Sequence, residues 1–269
     1  MISTENEIRS KHLSEKIMQH KINLMSSLAS NLESDLLHSI EKHGYVLIEN
    51  YVTKKSLIEA RAEYDQCIRM EPLHPQGEKF KPVELIKAPW RKQTIGSHSG
   101  TGEPYSQLLQ TTYFHPEDTR FPALNAIFSS MIELRNSLTT MNLNYGNDLN
   151  NDAFWNACRI HHYPQGGGHM AAHRDTLFPH LLKNFKVPFI QIMVTMTARG
   201  TDFNNGGGYV VDSKGNTILF ETDNNAGSLV LFDGSTIHGV QDIDLSELLD
   251  FSSSKGRIAL FVNLYKNPI

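Results

Sequence analysis

Apolar residues recur at Leu13, Ile17, Leu24, Leu28, Leu32, Leu36 and Ile40. A spacing of four, with a gap at His20, predicts a helical stripe broken around 26–30. Gly44 fits a helix stop. Residues 45–52 (YVLIENYV) read as a short buried strand. Residues 53–70 read as a helix with Leu57, Ala60, Tyr64, Cys67 and Ile68 on one side, and 121–142 as a further amphipathic helix. Between them, 71–106 carries Pro72, Pro75, Pro82, Pro89 and Pro104 with Gly77, Gly96, Gly100 and Gly102. So long a loop-rich stretch reads as an active-site lid. Trp90, Arg91, His98 and Tyr105 are its candidates to close over a substrate.

From about residue 153 the texture is β. Short apolar runs stand at 157–163, 189–197, 208–211, 217–220, 228–232 and 257–265, separated by the turns QGGG, NNGGG, SKGN and NNAG. Regularly spaced short strands predict a barrel or sandwich. Helices first and strands later predict an α+β chain rather than alternating β-α-β. The expected organisation is one catalytic domain over 1–269, mainly helical over 1–150 with a β core over 151–269.

Composition narrows the class. Apolar residues at 39% and charged residues at 20% suit a packed core rather than disorder. The formal charge of −4 does not point to nucleic acid. There is no apolar stretch of membrane-spanning length. The charged N-terminal segment lacks the apolar centre of a signal peptide. A cytoplasmic protein with neither a membrane nor a nucleic-acid partner is the expectation. Cys67 and Cys158 are too few for a disulfide framework or a cysteine zinc site. Histidine, at 13, is abundant and directs attention to metal or acid–base chemistry.

The segment HHYPQGGGHMAAHRDTLFP (161–179) holds His173-Arg174-Asp175. Residues two apart on a strand share a face, so an imidazole and a carboxylate can converge on one ion. A third facial ligand would complete the 2-His-1-carboxylate set of non-haem Fe(II) oxygenases. A lone H-x-D arises by chance roughly once in such a chain, so context must carry the reading. The context is GSLVLFDGSTIHGV, a strand and polar turn ending at His238, followed by the strand GRIALFVNLY opened by Arg257. A cation at the start of a buried strand needs a partner. That is either an internal acid or a dicarboxylate held in bidentate fashion.

In this order of motifs the chain resembles the Fe(II)- and 2-oxoglutarate-dependent dioxygenases, in particular their prolyl-hydroxylase-like branch. The resemblance covers roughly 157–265. It implies a double-stranded β-helix, a jelly-roll or cupin-like barrel with N-terminal helices packed on it. It implies Fe(II) held by His173, Asp175 and His238. It implies 2-oxoglutarate held at its far carboxylate by Arg257 and by Tyr163, which stands ten positions before His173. With O2 as oxidant and ascorbate in support, the expected reaction releases succinate and CO2 and hydroxylates a C–H bond. Desaturation or cyclisation are related outcomes. The carboxylate at 175 favours hydroxylation over the halogenation of relatives that lack it.

Two departures stand out. The gap from His238 to Arg257 is long, so DIDLSELLDFSSSKG must loop out, and Lys255 is an alternative to Arg257. Ala259 stands where some branches carry a serine. Alternation along the strand also places His161 and Arg159 on the face of Tyr163. Arg159, with His161 beside it, is a candidate to read a substrate carboxylate or phosphate; a structural salt bridge is the competing role. The size favours a small-molecule substrate such as an amino-acid derivative, with a protein or peptide side chain as the alternative.

A different class is a non-catalytic jelly-roll binding protein. His169 and His173, four apart, would suit a helical zinc site, but HMAAH lacks the glutamate of H-E-x-x-H.

Overall fold

The computed structural model describes residues 30–79, 81–87, 89–98, 104–116, 118–175, 189–221 and 225–268. The predicted stripe over 13–28 lies outside the described residues. Its C-terminal part is helix α1 (Ser30–His43), closed by Gly44 at φ +84° with its N–H on the Ile40 carbonyl at 2.7 Å. Strand β1 (Tyr45–Ile48) follows. Helix α2 (Lys54–Met70) starts at Thr53, whose side chain accepts the Ser56 N–H at 3.2 Å. Its buried stripe is Leu57, Ala60, Tyr64 and Cys67. Helix α4 (Pro122–Leu138) begins on a proline, and the Glu63 carboxylate of α2 accepts the N–H groups of Ala123 and Leu124, both at 2.8 Å. An acid at a helix N-terminus satisfies orphan donors and complements the dipole.

The stretch expected to be a lid holds several short strands among its described residues. It contributes β2 (Leu73–His74), the one-turn helix α3 (Pro82–Leu85), β3 (Trp90–Thr94), β4 (Ser97–His98) and β5 (Pro104–Gln107). Strand β6 (Leu109–Phe114) follows, in a stretch to which the sequence pattern assigns no element. Pro82 opens α3, and the other prolines fall at strand ends or in the turns between these pieces, where a missing N–H removes no ladder bond. Among the described residues before 150, helix outweighs strand, with β1 to β6 interspersed.

The six predicted runs of the second half fall in β7 (Phe154–Pro164), β9 (Ile190–Thr195), β10 (Gly207–Val211), β11 (Thr217–Leu219), β12 (Leu229–Asp233) and β14 (Gly256–Lys266), and two strands that no apolar run marked, β8 (Gly168–His173) and β13 (His238–Ile243), join them. Eight strands make one sheet in the order β1-β12-β9-β14-β7-β6-β3-β2, and six make a second in the order β11-β10-β13-β8-β5-β4. Almost all pairs are antiparallel, the β2–β3 pair being parallel. The larger sheet is covered on one face by α1, α2 and α4. There Leu36, Tyr64, Phe128 and Met131 pack on Cys158, Ile160, Ile258, Leu260 and Val262. Its other face looks across to the smaller sheet. This is an α+β double-stranded β-helix. No helix among the described residues is long and apolar enough to cross a membrane.

Candidate metal centre and cavity

A cavity of about 330 Å³ lies between the sheets, within the range of small-molecule sites. His173 ends β8, and His238 opens β13 directly opposite in the ladder. Asp175 follows two residues after His173, its N–H on the Gly234 carbonyl at 3.1 Å. The three ligand atoms lie within 4.8 Å of one another. His173 Nε2 is 3.6 Å and His238 Nε2 is 3.7 Å from the two Asp175 oxygens. The Nδ1 of each ring faces a carbonyl two residues back in its own chain, Ala171 at 2.8 Å and Thr236 at 2.9 Å. A carbonyl only accepts, so each Nδ1 carries the proton and each Nε2 lone pair faces the carboxylate. This outer contact sets the tautomer a metal requires. Burial, and then the neighbouring His173, lower the pKa of His238, against the pull of Asp175. That keeps the ring neutral.

A polar chain from the buried sheet holds the carboxylate. Asn263 Nδ2 donates to Gln191 Oε1 at 2.7 Å, and Gln191 Nε2 donates to Asp175. Gln191 and Asn263 were missed from sequence. A glutamine inside the apolar run FIQIMVTM was the available signal.

Arg257 is 1% exposed and paired with Glu221, which is fully buried, through Nε to Oε2 at 2.6 Å. The guanidinium also lies 5.3 Å over the Tyr163 ring, a cation–π distance. Gly208 makes room for it, since a Cβ there would sit 2.7 Å from Nη2, and the Gly208 N–H donates to the same Glu221 oxygen. The internal acid expected as one of two partners for Arg257 is thus present. It occupies the Nε side alone: Nη1 is buried with no hydrogen-bond partner and Arg257 lines the cavity. A guanidinium tethered at Nε and open at Nη1 fits a ligand carboxylate. Lys255 is exposed, and its carbonyl accepts from His162 Nε2 at 2.9 Å. Arg257 rather than Lys255 therefore stands in the cavity. The intervening segment does loop out. Asp244 turns it at φ 44°, and Gln110 and Arg61 donate to the carbonyls of Phe251 and Ser254 at 3.2 and 2.6 Å.

Tyr163, His161 and Arg159 all line the cavity. Arg159 makes no salt bridge among the described residues. Its Nη1 donates to the Tyr265 hydroxyl, and the guanidinium lies 5.6 and 5.3 Å over the Phe261 and Tyr265 rings. His161 is held neutral, well below the usual histidine range, by burial and then by the charges of Arg159, Arg257 and Lys92.

Of the lid candidates, Trp90 and Arg91 have their side chains described. Arg91 is buried and donates to the carbonyls of Ile68 and Glu71 at 3.0 and 2.9 Å, tying β3 to the end of α2. Trp90 stacks on His74 with ring centroids 4.9 Å apart. His98 lies on β4 and Tyr105 on β5; their side chains are outside the described set. His169 lies on strand β8, four residues from His173 and so roughly 13 Å away at ~3.3 Å per residue; it faces Asp242 at 3.5 Å. The strand rules out the helical zinc arrangement.

No known sequence family matches the chain, and no curated protein matches it by sequence. Solved structures do. A prolyl hydroxylase from Trichoplax adhaerens, in complex with a hypoxia inducible factor peptide fragment, matches with a TM-score of 0.52 at 13% identity, over 88% of this chain and 90% of that one. A prolyl-4-hydroxylase from Pseudomonas putida matches at 0.51 and 14% identity, over 87% and 98%. The epimerase SnoN from nogalamycin biosynthesis, in complex with Fe3+, alpha ketoglutarate and nogalamycin RO, matches at 0.51 and 10% identity, over 89% and 85%. At these identities the likeness speaks for architecture: the chain has the fold of the Fe(II)/2-oxoglutarate oxygenases.

Proposed function

We propose that the chain is a non-haem Fe(II)- and 2-oxoglutarate-dependent oxygenase, working as one catalytic domain, that hydroxylates an unactivated C–H bond of a small molecule. The observation that carries this reading is the pairing, in one cavity, of two Nε2 lone pairs facing Asp175 with the orphaned Nη1 of Arg257. Neutral imidazoles and one carboxylate suit a divalent ion and leave open positions. Fe(II) held there would supply oxidative decarboxylation of 2-oxoglutarate by O2, giving succinate and CO2, with the second oxygen atom of O2 passing to the C–H bond.

The chain's own residues do the rest. His173, Asp175 and His238 hold the ion. Gln191 fixes the Asp175 carboxylate, so both histidines meet it at fixed orientation. Arg257 receives the distal carboxylate of 2-oxoglutarate on its free edge while Glu221 holds the other. The Tyr163 ring packs beneath the guanidinium, and its hydroxyl donates to Met170 Sδ at 3.7 Å. Phe220, Phe232, Phe261 and Met193 line the remainder and exclude water from the reacting C–H. The modest volume between the two sheets supports a small molecule over a protein side chain, and the peptide-bound prolyl hydroxylase keeps the second class as the alternative.

The test is anaerobic titration of purified protein with Fe(II) and then 2-oxoglutarate, followed by succinate release in air with ascorbate and a panel of amino-acid derivatives. Stoichiometric iron, 2-oxoglutarate binding that depends on it, and succinate release lost in His173→Ala are expected. Neither metal uptake nor succinate release would make the protein a binding module instead.

A further inference from the structure

The cavity has two cationic poles, and the oxygenase reading uses one. At the first, Arg257 is neutralised in part by Glu221. The second lies four residues further along β7, roughly 13 Å of strand at ~3.3 Å per residue. There Arg159 faces Phe261 across the ladder. The hydroxyl of Tyr265 is the only hydrogen-bond acceptor it meets among the described residues, and Nε is buried without a partner. Lys92 joins it from β3. In the ladder Lys92 stands beside Thr111 and Thr111 beside His161, while Arg159 stands beside Tyr113. Two strand spacings and two residues of strand, roughly 12 Å, separate the backbones, and both side chains reach the same cavity. Lys92 also lines the cavity and, like Arg159, has no acid partner among the described residues. Among the described residues Asp175 is the one acid on the lining, and it belongs to the metal set.

An arginine held in place by aromatic rings and a phenol, but given no carboxylate, is pre-ordered for an anion that comes from outside. The field of His161 agrees: after burial, Arg159, Arg257 and Lys92 are the charges that hold it neutral. We propose that the Arg159–Lys92 pole binds an anionic group of the substrate, a carboxylate or a phosphate, so that the molecule oxidised is a small organic acid. This rests on the reading that Arg257 holds the co-substrate.

The experiment uses the full chain loaded with Zn(II) and saturated with 2-oxoglutarate, so that the Arg257 pole is filled and no turnover occurs. Calorimetric titration is made with small carboxylic acids and their primary amides, and with phosphomonoesters and their parent alcohols. Anions of one series should bind at least tenfold tighter than their neutral partners, and which series does so names the group. Arg159→Met should remove that preference, with 2-oxoglutarate affinity within twofold of wild type. Lys92→Glu, on the wall rather than in the β7–β14 ladder, should weaken anion binding tenfold or more should Arg159→Met fold poorly. Equal binding of anions and neutral partners, no binding by either series, or loss of 2-oxoglutarate rather than panel anions in Arg159→Met would each overturn the assignment. Wild type that takes up neither Zn(II) nor 2-oxoglutarate would instead overturn the oxygenase reading. An Arg159-dependent preference for anions in that metal-free protein would leave the anion site standing.

Discussion

Strands β7 and β14 carry two different chemistries on their two faces. Even-numbered residues Cys158, Ile160, Ile258, Leu260 and Val262 are buried against the helices. Odd-numbered residues Arg159, His161, Tyr163, Arg257 and Phe261 line the cavity. The period of two that separates them costs nothing in fold, since one pleat presents both sets. Stability is concentrated on one side and recognition on the other. His162 is the exception on the helix side, a buried ring hydrogen-bonded to the Lys255 carbonyl.

That division can be broken by substitution, and the largest effect falls on the helix side. Leu260→Ala should cost about 2–5 kcal/mol of stability in urea denaturation while leaving metal affinity unchanged below the transition. His173→Ala should do the reverse, losing metal uptake with the melting temperature of the metal-free protein little moved. Comparable destabilisation by both would end the idea of separate faces.

A smaller effect concerns pH. Burial depresses the pKa of His162 from 6.5 to about 4, against the hydrogen bond to Lys255 that raises it. The unfolded chain therefore takes up a proton that the folded chain refuses between pH 6.5 and 4. Stability is complete above that window and falls as the pH drops through it, by about 3 kcal/mol at the lower end. His162→Gln should show a correspondingly shallower loss in melts from pH 7 to 4; an unchanged slope would place the acid sensitivity elsewhere.

The smallest effect sharpens the comparison on the cavity side. Gln191→Leu removes the donor to Asp175 and should weaken metal binding by roughly 10–100-fold with the ligands intact, read by competition with a chelator. Affinity equal to wild type would mean that Asp175 is oriented by its own backbone alone.

Much of this was legible in the sequence because it is periodic. The buried stripe of α2, the six apolar runs that became strands, and the shared face of Tyr163, His161 and Arg159 all follow from spacing. The His173, Asp175 and His238 grouping was reached through order along the chain. What was not legible depended on pairing. β3, β5 and β6 have little apolar signature of their own: Thr111 and Thr112 read as polar until a sheet buries them. Lys92, inside what looked like a lid, becomes a cavity residue only because β3 lies beside β6. Glu221 is an ordinary acid after a strand until Arg257 arrives from 36 residues later.

The direct pairing of His173 with His238 has a consequence for folding. These residues are 65 positions apart, and the ladder between β8 and β13 is irregular beyond them, shifting register at Val240 and again at Ile243. A slip by one residue would turn one imidazole to the opposite face. An ion that needs both rings is therefore a removable staple across a long loop, and it binds one register. At a hundred times its dissociation constant it would add about 2.7 kcal/mol to the correctly paired state.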